Sequence, residues 1–170
     1  MHRGSMEFNL ADSSATEALG QALARSLPGG AQGAVLYLQG ELGAGKTTCV
    51  RALLRALGVT GLVRSPTYTL VETYTLAALT CVHVDLYRLQ LPTEIDELGL
   101  RDLAGPGCLL LVEWPEKGVG ALPPADLELM LCYSGEARQA ALRATTALGS
   151  AWQQNLGRDT SLSSYVSNLT

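Results

Sequence analysis

The segment Gly40-Glu41-Leu42-Gly43-Ala44-Gly45-Lys46-Thr47 constrains this chain more than any other. It satisfies the spacing GxxxxGK[ST] in full. Glycines at these positions let successive backbone N–H groups converge on an anion. A helix that starts directly behind them adds its unpaired N–H groups and the positive end of its dipole. The loop therefore needs a strand before it and a helix after it. Both are predicted: Ala34-Val35-Leu36-Tyr37-Leu38 reads as a short strand, and Val50, Leu53, Leu54 and Leu57 recur at helical spacing up to Gly58. In this arrangement the amides of Gly40, Glu41, Leu42, Gly43, Ala44 and Gly45 surround phosphate oxygens. Lys46 reaches the β- and γ-phosphates, Thr47 offers its hydroxyl to Mg²⁺, and Thr48 continues the cradle.

The rest of the chain alternates strand and helix signals. A helix is predicted from Ser14, where Ser14-Ala15-Thr16-Glu17 has capping-box spacing, to Pro28-Gly29-Gly30. Thr69 to Thr75 is β-branched and aromatic, and Cys81-Val82-His83-Val84 is a strand ending at Asp85. A helix broken at Gly99 is predicted over Thr93 to Leu103, with Thr93 as its cap. Cys108 to Val112 is continuously apolar, as for a strand covered on both faces. Leu127 to Tyr133 can pair with Ala140 to Thr146 across Ser134-Gly135-Glu136. The expectation is a three-layer α/β fold with a mixed, mainly parallel central sheet and an antiparallel C-terminal edge. Residues 10–156 are read as a single domain. Residues 1–9 are read as a flexible N-terminus or expression remnant, and 157–170 as a mobile polar tail.

Composition narrows the function class. Hydrophobic residues at 47% and charged residues at 16% suit a chain that builds a packed core. A net charge of −4 at pH 7 argues against a general nucleic-acid coat, which needs clustered positive charge, but leaves a local basic site open. No apolar run is long enough to span a bilayer, and no apolar h-region follows Met1. The cysteines Cys49, Cys81, Cys108 and Cys132 form no CxxC pair, so buried thiols in a cytoplasmic protein are expected and a zinc site is not.

A phosphate loop needs carboxylates beside it. Asp85 and Glu113 each end a predicted strand, and strand carboxyl ends open onto the ligand crevice of such sheets. Asp85 is the candidate for the metal shell, and Glu113 for holding a metal-bound water or polarising the attacking one. The competing account has each carboxylate capping a loop or pairing with Arg88 or Lys117. Thr67, in Ser65-Pro66-Thr67-Tyr68-Thr69, sits in a loop that can sense the γ-phosphate, or in a plain turn. Glu94 and Glu97 share a helix face that points to the site or to solvent. His83 is read as a packed or hydrogen-bonded strand residue. Trp114 covers a base or a partner surface, or plugs the core. The absence of an Asn-Lys-x-Asp segment tilts the base toward adenine.

Four blocks in this order resemble the TsaE (formerly YjeE) family. They are Gly40 to Thr48, then Ser65-Pro66-Thr67-Tyr68-Thr69-Leu70, then Val84-Asp85-Leu86-Tyr87-Arg88-Leu89, then Leu111-Val112-Glu113-Trp114-Pro115-Glu116. Tyr68 stands where phenylalanine is common. The resemblance covers roughly residues 10–145. It implies a bacterial P-loop ATPase that binds ATP or ADP with Mg²⁺, hydrolyses slowly alone, and acts with the TsaB–TsaD pair in threonylcarbamoyl modification of adenosine-37 in tRNA. It implies Thr47, Asp85 and Glu113 as metal-site residues, with Lys46, Asp85 and Glu113 carrying catalysis. Thr67 falls in a switch I-like segment, Glu94 to Glu97 in a switch II-like one, and Trp114 beside the nucleotide. The rival readings are a small-metabolite P-loop kinase and a nucleotide-gated binding module with incidental hydrolysis.

Overall fold

A seven-stranded sheet organises the chain in the order β1-β7-β6-β2-β5-β4-β3. The computed structural model describes residues 4–29 and 33–167. The strands are β1 (Met6–Leu10), β2 (Ala34–Gly40), β3 (Val71–Thr75), β4 (Thr80–Asp85), β5 (Cys108–Glu113), β6 (Leu127–Ser134) and β7 (Ala137–Ala144). The helices are α1 (Ser13–Ser26), α2 (Lys46–Ala56), α3 (Thr93–Leu98), α4 (Leu100–Leu103) and α5 (Ala147–Gly157). Strands β6, β2, β5 and β4 run parallel at the centre. The antiparallel pairs lie at both margins: β7 and β1 on one side, β3 on the other. The expected α/β class with a mixed sheet is present. The N-terminal edge strand and the antiparallel β3 extend what the sequence reading outlined.

Strand alternation divides the core into two layers. Leu36 and Leu38 of β2, Leu109 and Leu111 of β5, and Leu127, Leu129 and Leu131 of β6 join Leu19, Leu23, Val50, Leu53, Leu54 and Trp152 from α1, α2 and α5. The intervening residues Val35, Val82, Val84, Leu110 and Val112 pack on the other face with Ile95 and Leu100 from α3 and α4. All six residues of β5 are buried, which is why this strand reads as an unbroken apolar run.

Several local expectations are corrected. The cap of α1 is Asp12, whose Oδ1 accepts from the Ala15 N–H at 2.9 Å, so the helix starts one residue before Ser14. Pro92 occupies the N-cap of α3, and Thr93 makes no side-chain cap bond. The first-turn Glu94 does the satisfying instead, accepting from the Leu91 N–H at 3.2 Å. Strand β7 starts at Ala137 because the β6–β7 turn is only Gly135-Glu136, with Gly135 at φ 63°.

The two terminal expectations also change. Met6–Leu10 is a strand with Phe8 and Leu10 buried, not a flexible lead-in. The segment after Gly157 docks on it: Asn9 N–H donates to Tyr165 O at 2.7 Å and Ser167 N–H to Glu7 O at 2.9 Å. Residues 1–3 and 168–170 of those two segments lie outside the described residues. Among the described residues no helix is long and apolar enough to cross a membrane.

Helix α5 fixes this end of the molecule. Thr146 caps it by accepting from the Gly149 N–H at 3.1 Å. Trp152 is fully buried and donates its Nε1–H to Leu23 O at 2.9 Å, joining α5 to α1. Trp152→Ala should cost about 3–5 kcal/mol of stability. Urea unfolding should show the lower midpoint, and a loss under about 1 kcal/mol would mean that α5 is not part of the cooperative core.

Candidate functional site

The loop between β2 and α2 is shaped by glycines held at positive φ, where a side chain would be strained. Gly40 has φ 132°, and a Cβ there would come within 2.0 Å of Leu131 O on β6. Gly45, at φ 107°, lies against Thr16 Cγ2 and serves as the N-cap of α2. With no side-chain oxygen on this cap, the first N–H groups of α2 are left for an anion rather than a cap hydrogen bond.

Parallel pairing brings the acidic residues to this loop. Leu38 of β2 and Asp85 of β4 both stand in register with Glu113 of β5. Cys81, His83 and Asp85 therefore share a face with Leu109, Leu111 and Glu113, the face covered by α2. At the start of α2, Thr47 Oγ1 lies 3.0 and 2.9 Å from the two carboxylate oxygens of Glu113 and donates to them. Thr67 Oγ1 donates to Asp85 Oδ2 at 3.2 Å, and the Tyr87 N–H donates to Asp85 Oδ1 at 3.0 Å. Asp85 thus caps the turn after β4 and ties the 65–69 loop to the site. The alternative partners of Glu113, Arg88 and Lys117, do not bond it; its side chain meets Thr47 and His83.

Charge is concentrated here out of water. Lys46 is 4% exposed, Asp85 4% and Glu113 2%. Lys46 Nζ donates to Gly40 O at 2.6 Å and Glu41 O at 2.8 Å, and sits 4.1 Å from the centre of the Trp114 ring. Burial lowers the Lys46 pKa, while the carboxylates of Glu113, Glu116 and Asp85 pull it back up. Burial raises the Asp85 pKa, the Tyr87 N–H lowers it, and the Glu113 carboxylate raises it again. Trp114 itself is held at φ 59°, a left-handed conformation costing about 1–3 kcal/mol in a non-glycine residue. Its N–H donates to Leu38 O, and its ring lies 5.0 Å from that of Tyr87.

A cleft of about 370 Å³ opens over this cluster. Lys46, Thr47, Thr48, Thr67, Asp85, Glu113 and Trp114 all line it, together with Leu42, Gly43 and Gly45 of the loop. Gly40 and Glu41 contribute carbonyls to Lys46, and Ala44 is buried within the loop. Glu94 and Glu97 do not line the cleft; their helix anchors Ile95 in the core, Glu94 serves the Leu91 N–H, and Glu97 faces solvent. Sequence reasoning passed over Tyr133 and Arg138. Tyr133 Oη donates to Leu42 O at 3.1 Å, and Arg138 donates to Gly43 O at 3.4 Å. They reach the loop across the β6–β7 hairpin, and no local pattern marks them. Tyr87 and Arg88 also line the cleft, and their place directly after Asp85 was the available signal.

The oxygen-only donor set fits a hard divalent cation. The Glu113 carboxylate adds to the cost of ionising the buried Asp85, and a cation between loop and strands relieves it. Among the described residues no cluster of three or more His, Cys, Asp or Glu forms a metal cage. Mg²⁺ needs none, since it takes one or two carboxylates plus substrate phosphates and water.

Known proteins are similar to this chain in sequence and fold. The family described as "Threonylcarbamoyl adenosine biosynthesis protein TsaE" matches residues 10–141. A protein of Haemophilus influenzae named tRNA threonylcarbamoyladenosine biosynthesis protein TsaE is 48% identical over 115 residues, covering 68% of this chain and 73% of that protein. A Synechocystis protein of the same name is 43% identical over 121 residues, covering 69% and 74%. The crystal structure of Bacillus subtilis YdiB superposes with a TM-score of 0.74 at 27% identity, over 91% of this chain and 95% of that one. On a match that spans most of its length, this chain belongs to the TsaE family, the bacterial P-loop ATPases of threonylcarbamoyladenosine biosynthesis.

Proposed function

We propose that this protein is the Mg²⁺-dependent ATP-binding and ATP-hydrolysing member of the assembly that places a threonylcarbamoyl group on adenosine-37 of tRNA. It acts with TsaB and TsaD, and its ATP cycle resets the transferase between turnovers rather than performing the transfer. The observation that carries this reading is one cluster. Buried Lys46, Asp85 and Glu113 and half-buried Thr47 converge at the carboxyl ends of parallel strands around a glycine loop at a helix N-terminus.

Each side chain has a task that follows from its contacts. The loop amides and the start of α2 bind the phosphate chain. Lys46 already lies at the loop, and phosphate oxygens are stronger acceptors than the carbonyls of Gly40 and Glu41 that it now meets. Thr47, Asp85 and Glu113 would hold Mg²⁺, which when bound neutralises charge on the β- and γ-phosphates. Glu113 takes the Thr47 hydroxyl proton side, which leaves the oxygen lone pairs free to face the cleft. Asp85 couples the site to Thr67, so the 65–69 loop responds to what occupies the γ-position. Trp114 and Tyr87 wall the cleft and exclude water beside Lys46.

Steady-state ATP hydrolysis tests the reading directly. The protein alone should turn over slowly, and its matching TsaB–TsaD pair should stimulate it. No stimulation by a pair that is active in tRNA modification would overturn the partnership. Lys46→Ala should weaken ADP binding by about 10-fold or more, the effect of losing one charged hydrogen bond of about 1.5–3 kcal/mol. Titration of a fluorescent ADP analogue measures it, and unchanged affinity would remove Lys46 from the phosphate site. Asp85→Asn keeps a carbonyl acceptor for the Tyr87 N–H, faces the Thr67 hydroxyl with an amide donor that its oxygen can accept, and deletes the charge. It should lower Mg²⁺-dependent turnover by about 10-fold or more and leave Mg²⁺-free ADP affinity near wild type. Equal loss in both measurements would point to a collapsed site instead.

A further inference from the structure

His83 lies in the middle of β4, fully buried, with its ring two residues from Asp85 on the same face. Its Nε2 is 2.7 Å from Glu113 Oε1. Its Nδ1 has no hydrogen-bond partner and no access to solvent. These facts define the ring's role. With Glu113 as the carboxylate that a cation site requires, its oxygens only accept, and the hydrogen between the two side chains then sits on Nε2. A second hydrogen on Nδ1 would be a buried donor with nothing to meet, whereas an unused acceptor lone pair is more easily tolerated. The ring is thus a single-direction donor aimed at one oxygen of Glu113.

Glu113 is therefore held from two sides. Thr47 Oγ1 bonds both of its oxygens from the α2 side, and His83 pins Oε1 from within the sheet. A glutamate has three rotatable side-chain torsions, the last of them broad, so its carboxylate takes many orientations unless partners hold it. Without the ring, the Thr47 hydroxyl alone would orient it. We propose that His83 is a positioning residue: by fixing the Glu113 carboxylate it fixes which way the Thr47 oxygen faces, and so sets the affinity of the nucleotide site for Mg²⁺. It touches neither phosphate nor metal. This rests on the reading of Thr47 and Glu113 as the metal-holding pair, and the ring belongs to the class of partners that orient a ligating group from behind.

The test reads Mg²⁺ binding, not turnover. ADP affinity is measured with Mg²⁺ and with EDTA for wild type, His83→Leu and His83→Gln. His83→Leu should weaken the Mg²⁺ requirement of the ADP complex by about 10-fold, with EDTA-state affinity unchanged. His83→Gln, which carries an amide donor, should recover most of the loss. In a Glu113→Gln background, His83→Leu should add nothing, since the two act through one bond. A folded His83→Leu protein with wild-type Mg²⁺ dependence would overturn the proposal, and so would equal defects in the Leu and Gln variants. A wild-type protein whose ADP affinity ignores Mg²⁺ would overturn the metal reading of Thr47 and Glu113, and this proposal with it. If His83→Leu does not fold, the wild-type ring still decides the matter. The sequence has two histidines, His2 and His83, so long-range ¹H–¹⁵N NMR resolves the buried ring. A hydrogen on Nε2 supports the proposal, and a hydrogen on Nδ1 alone would sink it.

Discussion

The bond between Thr47 and Glu113 is the contact on which the site's geometry depends. It joins the first turn of α2 to the last residue of β5 through both carboxylate oxygens. The loop on one side and the helix on the other cannot shift independently of the sheet while it holds. Glu113 is also the register partner of both Leu38 and Asp85, so three strand ends meet at one residue. A one-residue slip in either pairing would turn Glu113 or Asp85 to the opposite face, away from α2. The apolar residues that fill both sheet faces therefore protect the site as well as the core. A slip would bury Glu113 among Val84, Leu110 and Val112, apolar side chains that cannot pair with it.

Burying these charges is costly, and the contacts show how the cost is offset. Lys46 spreads its ammonium over two carbonyls and an indole face. Asp85 takes an N–H and a hydroxyl. Glu113 takes a hydroxyl and an imidazole. No direct ion pair joins Lys46 to either acid, although both carboxylates act on its pKa through space. The cation and the anions are kept apart by the cleft itself. That separation is what a polyanion with its own dication would fill, since it presents negative charge to Lys46 and positive charge to the acids. A collapsed Lys46–Glu113 pair would be better satisfied internally and worse at binding anything.

Much of this was legible in the sequence because it is local. The glycine loop, the strand before it and the helix after it occupy one continuous stretch, and Asp85 and Glu113 each close an apolar run. The family blocks carried Thr67 and Trp114 to the same cleft. What escaped was set by distant partners. Tyr133 and Arg138 reach the loop only because the β6–β7 hairpin returns beside β2. Glu94 and Glu97 share a helix face in sequence, but the burial of Ile95 turns that helix away from the cleft. The ends misled for another reason. Met6-Glu7-Phe8-Asn9-Leu10 alternates with period two, yet a five-residue edge strand needs a neighbour to be recognised, and β7 lies over a hundred residues away. The polar stretch after Gly157 binds mainly through its backbone to that same edge, which side-chain composition does not report.

The placement of the arginines bears on how such a site would be controlled. Arg88 is the arginine that lines the cleft, and its guanidinium rests 4.3 Å from the centre of the exposed Tyr68 ring. Arg138 stacks on Tyr133 and bonds the outside of the loop at Gly43. Within the cleft the cation next to the loop is Lys46. Phosphoryl transfer spreads negative charge over several oxygens at once, and a second cation aimed at them is worth several orders of magnitude in rate. Under the proposed function, the isolated protein holds ATP in a site built for binding and leaves that second charge outside. Arg88 sits on the same side as Thr67 and the exposed Tyr68, where under the proposed function a docking partner would release it from the ring or supply its own arginine. Under that proposal hydrolysis would be timed by assembly rather than by nucleotide alone, which is the behaviour a reset step requires: ATP would be consumed when the complex is present and kept when it is not.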